Sequence, residues 1–347
     1  MFSNIVIMFI NLINKLIPKV KQRIVISTFP DYDDMTRAIV EEESVTILLG
    51  DRYSKKPLWL PESVNTVQKK SLIGLWYLVT SSKIYFTHGL YRGFKTVNSN
   101  KQLVINLWHG MPIKNIGFLD GKREVPDFHI VYSSSEFFCP ILAKAFDVDI
   151  EKVLISKLPR NKILCRGARN KSLLFLKEKY SKVIVWLPTY RKSTFGDVRT
   201  DSENSEALIL NDLNLHELNI ELIKNKALLI IKPHPMALRC KVLASLKFSN
   251  ILVINEDWLV SRNATLYELL SYSSELWTDF SSVAIDYMST GKTIKFIIPD
   301  FDSYKSNRGF TFDIGAAPLP GETIQTHTEL LHSLKENKKF HILLTSF

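Results

Sequence analysis

Lys182-Val183-Ile184-Val185-Trp186-Leu187-Pro188-Thr189-Tyr190-Arg191 begins as a β-branched apolar run, stops at a proline and turns polar. Proline offers no N–H to a sheet ladder, so the run reads as a strand that ends at Leu187. It also restarts a pattern. Upstream, strands are expected at Arg23–Ser27, Val45–Leu49, Lys83–Thr87, Leu103–Leu107 and Phe128–Tyr132, with helices between them. Asp31–Glu43 reads as a turn and helix, and Ser63–Thr80 carries helical periodicity. Downstream, Ala227–Ile231, Ile251–Ile254 and Ile294–Ile298 continue the alternation. Strands alternating with helices make parallel sheets from right-handed βαβ units. Two such series predict an α/β chain of two doubly wound Rossmann-type domains.

The polar, basic stretch around Cys165–Tyr180 separates the two series. The expected organisation is an amphipathic segment over 1–20, a first domain over 21–172 and a second over 173–347. A chain of 347 residues with 46% hydrophobic and 23% charged residues has material for two buried cores. Its three cysteines, Cys139, Cys165 and Cys240, form neither a disulfide framework nor a CxxC metal pattern, which favours a reducing, cytoplasmic setting.

Lysine and arginine number 45 against 35 aspartate and glutamate, a formal charge of +10 that points to an anionic partner. No stripe of interleaved aromatic and basic residues is present, which speaks against nucleic acid. Within the first twenty residues, Ile5–Ile10, Leu12, Ile13, Leu16 and Ile17 are interrupted by Asn11, Asn14 and Lys15. The run is too short to span a bilayer. It suits either a helix lying on an anionic membrane surface, assisted by Lys15, Lys19, Lys21 and Arg23, or a helix packed on the protein's own core.

Four segments share a pattern in which an apolar strand ends and polar, turn-forming residues follow: Leu107–Lys114, Leu187–Arg191, Ile231–Pro235 and Trp277–Ser282. An open α/β sheet keeps its site at such carboxyl edges. His109 precedes Gly110, which permits close backbone approach, and an imidazole there could take a proton from a hydroxyl. Lys114 could meet a phosphate. His234, held between two prolines, could donate to a phosphate oxygen. Asp279, Ser281 and Ser282 open a helix whose N–H groups would favour a phosphate. Arg308, beside Gly309, could add a bidentate contact. Asp31–Asp34 and Asp147–Asp149 contain Asp-x-Asp, yet an N-cap and a solvated turn explain them better than a metal site. No P-loop, GxGxxG or GxSxG pattern occurs.

Taken together and in order, these segments resemble the CDP-glycerol glycerophosphotransferase family of teichoic acid and capsule polymer enzymes. The resemblance rests on Trp108–Lys114, Leu158-Pro159-Arg160-Asn161, Pro188–Arg191, His234-Pro235, Thr278–Ser282 and Asp300–Phe310. Phe280 stands where the family usually has tyrosine, and Lys162 where it usually has aspartate.

The resemblance implies a GT-B-like fold and transfer of a polyol phosphate from a CDP-activated donor to a lipid-linked polymer acceptor, with CMP released, at the inner face of the membrane. It implies His109 as general base and His234 as the second catalytic histidine. Arg191, Lys114, Gly110, Asp279, Ser281, Ser282 and Arg308 would form the donor and phosphate contacts. No protein-held metal is required, although Mg²⁺ could ride on the diphosphate. A GT-B glycosyltransferase using a nucleotide sugar is the alternative, and a membrane- or nucleic-acid-binding module a more distant one.

Overall fold

The computed structural model describes residues 4–45, 47–51, 54–188, 213–233, 247–314 and 318–336. The chain divides into two units, residues 1–163 and 164–346.

In the first unit, β1 (Val20–Ser27), β2 (Ile47–Gly50), β3 (Asn65–Gln68), β4 (Ser81–Phe86), β5 (Leu103–Asn106), β6 (Ile130–Ser133) and β7 (Val153–Ile155) form one sheet, ordered β3-β2-β1-β4-β5-β6-β7. Every pairing is parallel. Parallel strands are covered on both faces, so their sequences are apolar runs, and Val25, Leu48, Ile84, Val104 and Val131 are fully buried. The helices are α1 (Asn4–Leu16), α2 (Asp34–Glu42), α3 (Leu72–Thr80), α4 (Cys139–Phe146) and α5 (Arg160–Cys165). Asp33 caps α2, its carboxylate accepting from Thr36 N at 3.0 Å, so the first Asp-x-Asp is a helix start as expected. Asp147 ends α4 in the left-handed conformation, φ 53°.

The second unit repeats the scheme with α6 (Phe175–Lys179), β8 (Lys182–Leu187), α7 (Leu215–Lys224), β9 (Ala227–Ile231), β10 (Ile251–Val253), α8 (Glu256–Val260), α9 (Leu266–Tyr272), β11 (Glu275–Thr278), α10 (Val283–Met288), β12 (Thr293–Ile297), α11 (Phe301–Arg308), β13 (Glu322–Ile324) and α12 (His327–Glu336). Its parallel sheet runs β10-β9-β8-β11-β12-β13. Trp186 and Trp277 meet edge to face in its core, centroids 5.8 Å apart. Both sheets reverse direction beside their first strand, at β1/β4 and at β8/β11, which is where open α/β sheets place ligands.

Two expectations change. Ser63–Thr80 is not one helix: Asn65–Gln68 pairs with β2, and Ser71 then caps α3 by accepting from Gly74 N at 3.0 Å. Gly74 leaves no room for a side chain, since a Cβ would lie 2.4 Å from the Gln68 carbonyl oxygen. The division between units falls inside α5, earlier than 172. Segment 165–180 packs on the second unit, burying Leu173 and Leu176 and tying Asn170 O to the Tyr272 hydroxyl at 2.5 Å. Arg308 is the last residue of α11, the helix that follows β12.

Helix α1 packs on the first unit with its sides reversed from the usual sense. It packs beside α3. Asn14 is fully buried and donates to Gln102 Oε1 at 3.2 Å, and Asn11 donates to Gly93 O at 2.9 Å. Ile5, Met8, Phe9, Leu12 and Leu16 are exposed. Lys19 is turned inward onto Asn14, and Arg23 onto Thr80, so of the four basic residues expected at the lipid only Lys15 and Lys21 remain exposed.

Candidate functional site

In the first unit, the carboxyl ends of β1, β4 and β5 bring together Phe29, Thr87, His88, Trp108 and His109. The turn after β5 is built for this. Trp108 sits at φ 53° and Gly110 at φ 123°, and Asn106 Oδ1 accepts from Trp108 N at 2.9 Å. A tryptophan in the left-handed region is strained, and such strain concentrates at functional sites. The turn presents His109 between two rings: Trp108 at 3.9 Å and His88 at 4.0 Å between centroids, the two imidazoles inclined by 13°. Phe29 meets His88 edge-on at 5.3 Å.

His109 is held well below the ordinary histidine value of 6.5. Burial is the main cause, the neighbouring His88 the next, and Arg160 and Lys114 add to it, while a hydrogen bond to the Thr87 backbone opposes them. His88 is pushed down to about 4 by desolvation, then by Lys69, Lys122 and Arg160. Its Nδ1 lies 3.0 Å from Thr87 Oγ1. Both rings are therefore neutral at physiological pH, the form in which an imidazole accepts a proton.

Arg160 opens α5 and donates from Nη2 to the His109 carbonyl at 3.0 Å, which fixes the turn from behind. It also faces the half-buried Asp33, whose carboxyl is raised by desolvation despite that charge. The Pro159-Arg160-Asn161 motif thus has a structural role that its sequence did not state. His88 went unread, although Thr87-His88-Gly89 repeats the strand-end, histidine, glycine order of Trp108-His109-Gly110. A cavity of about 470 Å³ opens on this pair, with Tyr91, Phe94 and Phe146 among its walls. Lys114 is half-buried, within electrostatic reach of His109.

In the second unit, Thr278 Oγ1 donates to Leu187 O at 2.9 Å across the β8/β11 switch point. Asp279 is fully buried there, and half-buried Ser281 and Ser282 lead into α10, with Val283 N donating to Ser281 Oγ at 3.4 Å. This is the helix start expected from Asp279–Ser282. Phe280 is fully buried, stacked on Tyr304 at 4.3 Å and packed against Phe310 at 4.9 Å. His234 and Arg191 lie outside the described residues, as does the side chain of Arg308. Among the described residues, no group of three His, Cys, Asp or Glu could hold a metal ion.

A family profile described as CDP-glycerol:poly(glycerophosphate) glycerophosphotransferase matches residues 12–342. The chain belongs to that family. It is therefore an enzyme of the CDP-glycerol glycerophosphotransferase kind. It is 25% identical over 308 residues to the teichoic acid poly(glycerol phosphate) polymerase of Bacillus spizizenii, covering 82% of this chain and 73% of that protein. It is 23% identical over 361 residues to the teichoic acid glycerol-phosphate primase of Bacillus subtilis, covering 96% and 89%. The wall teichoic acid polymerase TagF has the same fold, with a TM-score of 0.74 at 22% identity over 96% of this chain and 84% of that one. The paired parallel sheets are accordingly the GT-B-like architecture expected of a family member. Among the described residues, no helix is long and apolar enough to cross a membrane.

Proposed function

We propose that the chain transfers glycerol phosphate from CDP-glycerol to a hydroxyl of a lipid-linked teichoic acid type acceptor at the inner face of the membrane. The observation that carries this reading is His109: a neutral imidazole, clamped between two rings at the floor of a cavity beside the sheet's switch point. The first unit would take the acceptor and the second the donor.

In this scheme the hydrogen bond to the Thr87 backbone orients the His109 ring, and the imidazole takes the acceptor hydroxyl proton. The acceptor oxygen attacks the glycerol-bearing phosphorus, the bond from that phosphorus to the bridging oxygen breaks, and CMP leaves with the electron pair. The N–H groups and hydroxyls of Ser281 and Ser282, with His234, Arg191 and Arg308, would balance the charge that develops on the diphosphate. Any Mg²⁺ would be carried on the diphosphate oxygens. An anion arriving beside His109 offsets the cations that depress its pKa, so the base strengthens as substrate binds.

The membrane assignment is supported by α1. A helix that turns its asparagines inward and Ile5, Met8, Phe9, Leu12 and Leu16 outward leaves apolar surface suited to the acyl boundary of a bilayer. The deciding test is CMP release from CDP-glycerol and CDP-ribitol by purified protein with a lipid-linked acceptor. Release by the native enzyme, falling at least 100-fold in His109→Ala with donor binding retained, supports the reading. Consumption of a nucleotide sugar instead, with neither CDP-polyol used, refutes it.

A further inference from the structure

We infer that Asn11, from the N-terminal helix, is a positioning residue for the first unit's cavity, because it holds the helix-free wall that carries His88. This rests on the acceptor lying in that cavity. It makes α1 a working part of the acceptor site as well as the proposed membrane contact.

Parallel neighbours need a crossover connection, and a helix usually supplies it. Among the described residues, none between β4 and β5 is helical. Residues 88–95 of this connection line the cavity, starting at His88. Backbone outside helix and sheet must find its hydrogen bonds elsewhere. Here other elements supply them. At the His88 end, Lys69 Nζ donates to Gly89 O at 3.1 Å, and the Tyr91 hydroxyl donates back to Lys69 O. At the far end the partners are two asparagines of α1. Asn11 Nδ2 donates to Gly93 O at 2.9 Å, and its Oδ1 accepts from Lys95 N at 2.9 Å. Asn14 Nδ2 donates to Lys95 O at 3.3 Å.

A side-chain amide offers a donor and an acceptor side by side, so one residue serves both a carbonyl and an N–H. Gly93 turns the wall at φ 76°, and a Cβ there would lie 3.5 Å from Ile7 of the same helix. Helix α1 is itself fixed to the sheet. Asn14 is fully buried, donates to Gln102 Oε1 at 3.2 Å and accepts from Lys19 Nζ at 2.7 Å. Gln102 stands directly before β5 and donates to Leu78 O and Ser81 O, both at 3.0 Å. The chain of bonds therefore runs from the starts of β4 and β5, through α1, to the wall. His88 and His109 stack at the other ends of the same two strands. Asn11 acts through the wall, by fixing where residues 88–95 stand against His109.

The test compares the native full-length protein with two variants. Asn11→Leu keeps the side-chain size on an apolar helix and removes both hydrogen bonds. Asn11→Asp keeps the acceptor for Lys95 N and loses the donor to Gly93 O. In the CMP-release assay, CDP-glycerol and the lipid-linked teichoic acid acceptor are varied in turn. The acceptor KM should rise about tenfold in Asn11→Leu and less in Asn11→Asp, with the donor KM changed less than about twofold. Fewer folded molecules would lower kcat and leave both KM values as they were; that result, or unchanged kinetics, would overturn the assignment. The second measurement follows labelled histidines by NMR between about pH 5 and 8. In the native protein, burial and the charges of Lys69, Lys122 and Arg160 hold His88 at about 4, so it should stay neutral over this range. In Asn11→Leu it should begin to titrate within the range, as the wall loosens and the ring gains water. A His88 resonance that ignores pH in both proteins would also overturn the inference. This measurement needs no substrate, so a native enzyme that transfers no glycerol phosphate sinks the proposed reaction, while His88 still decides the wall.

Discussion

The imidazoles of His88 and His109 lie face to face, 4.0 Å between centroids and 13° between planes. Two such rings cannot both carry charge at this separation, so protonating either disfavours the other. His88 is thereby a positioning residue for His109, and also a control on its basicity.

The acid limb of the pH profile tests this. His109 must be neutral to act as base, and its folded value lies below 6.5. The limb in kcat/KM, which reports the free enzyme, should therefore fall below pH 6.5. Substituting His88→Phe keeps an aromatic face but removes the second titrating ring, whose charge lowers the His109 value. The limb should move to higher pH, with kcat at pH 8 reduced less than in His88→Ala. An unmoved limb would separate the stack from the chemistry.

Arg160 should matter to both rate and stability. Arg160→Gln removes the Nη2 hydrogen bond to the His109 carbonyl and the charge facing Asp33. A fall in kcat of about tenfold is expected from loss of positioning. Thermal stability should fall too, because a half-buried carboxyl loses its cation.

In the second unit, Glu275 is paired with Lys182 at 2.6 Å and Lys295 at 3.2 Å, and it accepts from Trp277 Nε1 at 2.6 Å. Burial would raise its carboxyl, but Lys295 and Lys182 hold it below the usual value of 4.5. A depressed carboxylate contributes stability above that value and loses it as pH falls through the folded one. Glu275→Gln takes the nearer carboxylate from buried Lys295, leaving Glu322 at 3.5 Å, and should cost about 3 kcal/mol in denaturant unfolding at pH 7. The loss should shrink as the pH falls below 4.5.

Phe280→Tyr would restore the residue usual in the family. Here the ring is fully buried among Phe301, Tyr304 and Phe310. A hydroxyl there must find a partner in an aromatic cluster, so a destabilisation of about 1–3 kcal/mol is expected, with no gain in donor affinity. Tighter CDP-glycerol binding would show that this ring does reach the donor.

For the membrane contact, F9S/L12S removes two outward apolar side chains without touching the Asn11 and Asn14 hydrogen bonds. Each such burial is worth about 1.5–3 kcal/mol, so binding to anionic vesicles in a sedimentation assay should weaken about 100-fold or more. The melting temperature should hardly change, because both side chains are exposed.

By itself, the sequence determined the two parallel sheets and the strand ends on which chemistry sits. Strands buried on both faces must be continuous apolar runs, and a turn such as Trp108–Gly110 must follow them, so both are written locally. Asp33 as a helix cap was legible for the same reason. The tertiary structure alone decided what those residues meet. His88 and His109 stack because β4 and β5 are neighbours, and Arg160 reaches the His109 carbonyl from 51 positions away. Phe280 is sealed by residues of α11 and the loop after it, and periodicity could not tell which side of α1 would turn inward. Apolar content measures a tendency to leave water; whether a given face finds protein or is left for a membrane depends on what the rest of the chain folds against it.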